Sequence, residues 1–364
     1  MSGFGVFTTV DDATPRVGWR AGADVVDLSA LGDAFRQPSL NALMARGPDA
    51  WAEALDRARA HDGPRTPIAD ASLLLPFEVA DYVDFYSSLE HATNLGRLFR
   101  PDAEPLLPNW RRLPVGYHGR AGTVAVTGSD VVRPRGQITL AGAEEPVYEP
   151  SRRLDVELEL GFVVGVPSGR GTPVPAERFA EHVFGVVLVN DWSARDIQAW
   201  EYVPLGPFCG KSFLTSVSAW VTPLALLEEH RTEAPPQDPL PLAHLAGGRD
   251  WALDVELEVE LNGFVVSRGN ARTLYWTMPQ QLAHATSNGA SVRTGDLMAT
   301  GTISGSAPGS EGSLIELTRN GAEPIRLPDG GTRSFLEDGD EVVLRARAGD
   351  VELGEVRGRV APAR

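Results

Sequence analysis

Hydrophobic and polar residues alternate with a period of two over much of this chain. The clearest case is Leu154–Leu160, LDVELEL, where a strand places Asp155, Glu157 and Glu159 on one face and Val156, Leu158 and Leu160 on the other. A second stretch, LDVELEVEL at Leu253–Leu261, repeats the alternation with more acids. From about residue 78 onward, short alternating segments rich in Val, Leu and Phe are punctuated by Gly and Pro, which predicts a large β-dominated unit with few helices. Residues 1–77 read as a smaller unit with short β segments at Val17–Trp19 and Val25–Leu28 and a helix near Pro48–Ala60. Pro48 suits the first turn of that helix, and Trp51 and Leu55 share a face. A further helix is predicted in WTMPQQLAHAT, where Thr277 and Gln280 form a capping box and Pro279 is tolerated in the first turn. The turn-rich stretches Thr232–Leu242 and Ser306–Gly312 read as surface loops. Neither an internal repeat nor a low-complexity tail is evident.

With 364 residues, 42% of them hydrophobic, the chain can bury one large or two ordinary domain cores. A net charge of -16 argues against nucleic acid or an anionic membrane surface as partner, so an anionic substrate would need local cations. One cysteine, Cys209, excludes an internal disulfide and fits a reducing compartment. The beginning MSGFGVFTTVDD has no basic segment followed by an apolar stretch, and no run of 18 apolar residues occurs. A soluble, cytoplasmic protein is expected.

Candidate chemistry changes this picture in three places. Two carboxylates about 4 Å apart repel by roughly 4 kcal/mol at an effective dielectric near 20, so a buried acidic face needs a positive partner, and a divalent cation is the economical one. Spacing alone leaves both acidic stretches open between a metal site and a solvated face. Of the 33 basic residues, Lys211 is the single lysine, a compact point charge among planar guanidinium forks. By composition it is either a leftover or a requirement. Its segment, Val189–Phe213, gathers Asp191, Arg195, Asp196, Gln198, Tyr202 and Lys211 among Trp192, Trp200 and Phe208, aromatic bodies expected to exclude water. Upstream, Ala80–Arg100 combines Asp84, Tyr86, His91 and Arg100. GYHGRAG at Gly116–Gly122 lacks the ending of a phosphate loop and reads as a tight turn. With no HExxH, paired CxxC or GxSxG, the available ligands are hard oxygens, which favour Mg²⁺ or Ca²⁺.

Taken in order, DFYSSLEHATNLG, PNWRRLPVGYHGRAGTV, RPRGQ, LDVELELGFVVG, FGVVLVNDWSARDIQAWEYVPLGPFCGKSF, YWTMPQQLAHATSNGASVRTGDLMATGTISG, GSLIEL and FLEDGDEV resemble the fumarylacetoacetate hydrolase family. Weaker similarity runs through GVFTT, VVDLS and LNALMARG. The resemblance implies a mainly β protein: a small SH3-like N-terminal barrel (1–77), a mixed β-roll or sandwich catalytic domain (78–364), and a homodimer. It implies metal-dependent hydrolysis of the carbon-carbon bond of fumarylacetoacetate, a small anionic diketo acid, to fumarate and acetoacetate, the last step of tyrosine and phenylalanine catabolism. Carried over by position, the metal cage falls on Asp84, Glu157, Glu159 and Asp191, holding Ca²⁺ or Mg²⁺, with a second cation near Lys211 and Thr215. His91 matches the general base and Glu316 the carboxylate that orients it. Arg195, Gln198 and Lys211 match the oxyanion donors, and Tyr86, Arg100, Tyr117, Gln198, Tyr202 and Thr302 the substrate contacts. The chain departs from the commonest pattern at Leu89, Glu90, Cys209 and Pro279, none a matched functional residue. Rival readings are a relative that cleaves acylpyruvates, decarboxylates oxaloacetate or isomerises ring-fission products, and a calcium-stabilised β-rich binding module without chemistry.

Overall fold

The structure, a computed structural model, describes residues 3–364. Its spine is a 13-stranded sheet. At the centre lies Leu158–Val164, antiparallel to Val183–Asp191 on one side and to Leu297–Ala299 on the other. Leu297–Ala299 continues in parallel to Tyr82–Phe85, which pairs with Gly116–His118. Every residue of Leu158–Val164 is buried. The even positions Leu158, Leu160, Phe162 and Val164 enter the largest core, while Val163 on the opposite face joins a second core built largely by the N-terminal part. Between them on that second face are Glu159 and Gly161, and a Cβ on Gly161 would lie 2.9 Å from Leu297 and Val189 side chains.

The N-terminal strands Phe4–Thr9, Arg16–Ala21, Asp24–Asp27, Arg65–Pro67 and Ala71–Leu74 pair in an open run, not a closed ring. Phe4 and Gly5 also bond to Val221 and Trp220, so this run continues the central sheet. The helix Pro48–Ala60 forms as predicted and buries Trp51, Ala54, Leu55 and Ala58. Trp51 packs edge-on against Phe184 of the central sheet, 5.5 Å between ring centres.

A five-stranded sheet covers the largest core from the other side, contributing Leu257, Val259, Leu261, Val342, Leu344 and Val356. Its hairpin Glu256–Leu261/Phe264–Asn270 turns through Asn262 and Gly263, both at positive φ (52° and 83°), the residues that a tight two-residue turn favours. The helix Met278–Thr286 starts where the capping box predicts, with Gln280 Oε1 accepting from the Thr277 N–H at 3.1 Å. Thr232–Leu242 is only partly a surface loop. Gln237 turns inward, is 4% exposed, and donates to Tyr275 O and Gln280 Oε1.

Candidate active site and metal centre

The acidic strand is interrupted where the chemistry sits. Instead of one strand over Leu154–Leu160, Leu154–Asp155 pairs with Ser193–Ala194, and Leu158–Val164 joins the central sheet. Glu157 lies between them in an isolated bridge to Ser313. The kink brings Glu157 and Glu159 together with Asp191, the last residue of Val183–Asp191, and Asp84 from Tyr82–Phe85. Each of the four offers an oxygen within 4.8 Å of the others, and all four are buried. Among the described residues this is the one group of His, Cys, Asp and Glu side chains with such convergence.

Charge balance tests whether these residues fit a cation. Lys211 donates to Glu157 Oε2 and, at 2.9 Å, to Asp191 Oδ2, while Arg195 Nη2 lies 2.7 Å from Glu157 Oε1. Arg195 also gives its Nε to Asp155 Oδ2 at 2.8 Å. Two cations thus face five buried carboxylates, Asp84, Asp155, Glu157, Glu159 and Asp191. Both oxygens of Glu159 and Oδ1 of Asp84 have no hydrogen-bond partner. Burial, and then the charges of Asp191 beside Asp84 and of Asp84 and Glu157 beside Glu159, push both carboxyls well above the usual range. For Glu157 burial acts in the same direction, but Lys211 and Arg195 outweigh it and hold the group ionised. Orphaned hard oxygens with unbalanced negative charge are the donor set a Mg²⁺- or Ca²⁺-type ion takes.

His91 stands beside this cluster, 2% exposed, on the helix Leu89–Phe99. Ser88 caps that helix, its Oγ accepting from the His91 N–H at 3.3 Å. The ring Nδ1 lies 2.6 Å from Glu316 Oε2, and a proton on Nδ1 donates to that carboxylate and leaves Nε2 as the basic nitrogen, 3.9 Å from Glu157 Oε1. Burial raises the Glu316 carboxyl, but the His91 ring and hydrogen bonds from Ser313 and Asn94 outweigh it and hold it below the ordinary carboxylate range. Asn94, Ser304 and Ser313 donate to Glu316 at 3.0, 2.9 and 2.6 Å.

A cavity of about 380 Å³ opens over these groups, and Asp84, His91, Glu157, Arg195, Gln198 and Lys211 are among its lining residues. Arg100, Leu106, Tyr202 and Leu205 lie among its other lining residues. Tyr86 packs edge-on to His91, 5.2 Å between ring centres. Tyr117, placed opposite Asp84 in the strand register, donates to Asp191 Oδ2 at 2.9 Å. Gly116 and Gly119 permit this approach, since a Cβ at Gly119 would fall 2.1 Å from the Tyr82 ring; GYHGRAG is therefore part strand, not only a turn. The Thr302 hydroxyl is buried without a partner, and Thr215 donates to Asp191 Oδ1 at 2.9 Å. Arg100 gives one Nη to Pro105 O at 2.7 Å while its Nε has no partner. Eleven of the predicted site residues line this cavity, with Tyr202, 38% exposed, the most exposed of them; Glu159, Asp191, Thr215 and Glu316 stand behind the lining, tied to it through the carboxylate cluster, through Asp191 and through His91.

One further expectation needs correction. Of the aromatics in Val189–Phe213, only Trp192 is buried; Trp200 and Phe208 are 44% and 66% exposed. They do not exclude water. The segment also contains a helix, Arg195–Glu201, that alternation does not reveal; it turns Arg195 and Gln198, three apart, toward the cavity, with Arg195 Nη1 donating to Gln198 Oε1 at 3.2 Å. Sequence reasoning also passed over the groups that hold the machinery in place: Asp155, Asn94, Ser304 and Ser313. Asp155 shares the acidic face with Glu157 and Glu159, the one signal that pointed to it.

Residues 81–361 match the family described as Fumarylacetoacetate (FAA) hydrolase C-terminal, and residues 3–61 match Fumarylacetoacetase N-terminal. The chain belongs to the fumarylacetoacetate hydrolase family. Within that family it is 44% identical to the fumarylacetoacetase of Homo sapiens over 99% of this chain and 95% of the relative. Identity is 42% to that of Arabidopsis thaliana, over 99% and 94%. Among solved structures of similar fold are the fumarylacetoacetate hydrolase from Exiguobacterium antarcticum, with TM-score 0.60, 18% identity and 100% of both chains covered. Another is maleylpyruvate hydrolase from Sphingobium sp. SYK-6, with TM-score 0.59, 18% identity and coverage of 98% and 100%.

Proposed function

We propose that this protein hydrolyses a carbon-carbon bond of fumarylacetoacetate to give fumarate and acetoacetate. The observation that carries the reading is the His91–Glu316 pair set against a cluster of four buried, under-neutralised carboxylates, two of which, Asp84 and Glu157, line the same cavity as His91. Identity of 42–44% to fumarylacetoacetases across nearly the whole chain supports this substrate over the rival acylpyruvate and oxaloacetate readings.

Asp84, Glu157, Glu159 and Asp191 would hold a divalent cation, Mg²⁺ or Ca²⁺, with Thr215 and Lys211 beside a second. When bound, such an ion supplies Lewis-acid polarisation of the diketone oxygens and countercharge for the departing enolate. His91 Nε2 takes a proton from water, and Glu316 holds the ring's tautomer and supports its positive charge, a contribution of about 10² to 10⁴ in rate. The hydroxide adds to the fumaryl ketone carbon. Arg195, Gln198 and Lys211 face the oxyanion that forms, where loss of one donor costs about 3 kcal/mol. Two N–H groups of Lys211 are spent on Glu157 and Asp191, which leaves the third for the cavity. As the oxyanion collapses the bond to the neighbouring methylene breaks, and that carbon takes up a proton, balancing the one lost by water. Tyr86, Tyr117, Tyr202 and Thr302 orient the diketone, and Arg100 offers a cation for a substrate carboxylate.

The catalytic unit proposed is residues 78–364, which holds every one of these groups, with 1–77 as an N-terminal domain. A homodimer acting in the cytoplasm, in tyrosine and phenylalanine catabolism, completes the reading by resemblance. Among the described residues no helix is long and apolar enough to cross a membrane. The deciding experiment follows loss of the substrate's ultraviolet absorbance, with and without chelator. Metal-dependent loss with fumarate and acetoacetate as products is expected. An unchanged signal would instead favour a binding module.

A further inference from the structure

Asp155 is fully buried, lies outside the four-carboxylate cluster, and has no part in the chemistry described above. Its two oxygens nevertheless accept four hydrogen bonds. Oδ1 takes the backbone N–H of Val156 at 2.8 Å and of Leu314 at 2.7 Å. Oδ2 takes the N–H of Ile315 at 3.1 Å and Arg195 Nε at 2.8 Å. Glu316 follows directly on Ile315, and its carboxylate holds the His91 ring. One carboxylate therefore joins the guanidinium that faces the cavity to the turn that carries the partner of the base.

The orientation of Arg195 depends on this joint. With Nε bound to Asp155 and Nη1 to Gln198, the plane of the guanidinium is fixed. Nη2 lies 2.7 Å from Glu157 Oε1, an ion pair that completes the set of contacts around the guanidinium. A flat group anchored through Nε presents its Nη edge in one direction only.

We propose that Asp155 is a positioning residue that sets Arg195 and the Glu316–His91 pair in a common frame, so that the oxyanion donor and the base keep a fixed separation. This rests on the proposed hydrolysis. A misplacement of about 1 Å in such a constellation can cost about 100-fold in rate without weakening ground-state binding.

The test compares wild type, Asp155→Asn, Arg195→Lys and the double variant in steady-state turnover of fumarylacetoacetate with saturating Mg²⁺, with folding checked by circular dichroism. Wild type without turnover would overturn the functional reading and this inference with it. Given an active wild type, Asp155→Asn is expected to lower kcat about 100-fold with KM within about threefold, and to combine with Arg195→Lys in a loss clearly smaller than the product of the two single losses. A kcat within about threefold of wild type, a loss carried by KM alone, or losses that multiply in the double variant would each overturn the inference while leaving the proposed function intact. If Asp155→Asn does not fold, Arg195→Lys decides: it keeps charge beside Glu157 but cannot reproduce the fork, so a kcat within about threefold of wild type contradicts the inference.

Discussion

Two stretches of this chain, Leu154–Leu160 and Leu253–Leu261, carry the same alternation of acids and aliphatics and end in opposite surroundings. In the second, Glu256 is exposed and Glu258 and Glu260 half-buried on a strand of the five-stranded sheet. Arg345 pairs with Glu258 and Glu260, Arg347 with Glu256, and Arg268 with Glu258. Each acid there has a cation partner at the surface. In the first stretch Asp155, Glu157 and Glu159 are buried, and Glu159 has no partner at all. Alternation determines which side chains share a face; what covers that face decides whether they are solvated or become a site. The central position of Leu158–Val164, with strands on both sides and cores on both faces, is what converts an ordinary acidic pattern into a concentrated negative charge.

The contrast breaks most sharply at the ligands. Glu159→Gln is expected to lower metal-supported turnover about 10³-fold, since the lost Lewis-acid contribution amounts to several kcal/mol and each 1.36 kcal/mol is tenfold. Glu256→Gln should leave turnover unchanged in the same assay. Next in size, Glu316→Gln is expected to reduce kcat by about 10²-fold or more, because the His91 ring loses the partner that sets its tautomer. Lys211→Arg should lower kcat by about 10²-fold while its unfolding midpoint stays close to wild type, because charge is kept but the rotatable third donor is lost.

A smaller effect concerns pH. Glu316 is held below the ordinary carboxylate range, so its ionised form contributes stability that is fully present above about pH 4.3 and is lost as pH falls toward its depressed folded value. Thermal unfolding followed between pH 6 and 3 (about that range) should therefore fall less steeply in Glu316→Gln than in wild type. The smallest change expected is at the surface strand, where removing the exposed Glu256–Arg347 pair by Glu256→Gln should not move the unfolding midpoint measurably.

Much of this site was legible because its residues lie in long, ordered motifs, and because an isolated lysine and a two-residue spacing of acids are visible without coordinates. Local signals also placed Pro48–Ala60 and the capped helix at Thr277. What escaped is non-local or aperiodic. The break at Val156–Glu157 arises from pairing with Ser193–Ala194 and Ser313, partners far along the chain. The helix Arg195–Glu201 buries only Arg195 and Ile197, so it has no apolar stripe to announce it. The continuity of Phe4–Thr9 with Trp220–Pro223 joins residues more than two hundred positions apart, which no local pattern records. Asp155 and Ser304 act through hydrogen bonds to backbone and to Glu316 that nothing in their own sequence neighbourhoods marks, whereas Ser313, three residues before Glu316, carries a local Ser-x-x-Glu signal that went unused.

Whether the two acidic strands differ as their surroundings require is read most directly by calorimetric titration of chelator-treated protein with Mg²⁺ and Ca²⁺, comparing wild type, Glu159→Gln and Glu256→Gln. Saturable binding in wild type and Glu256→Gln, and its loss in Glu159→Gln, is the expected result. Binding that survives Glu159→Gln undiminished, or that weakens equally in both variants, would contradict the assignment of the buried carboxylates as the cation site.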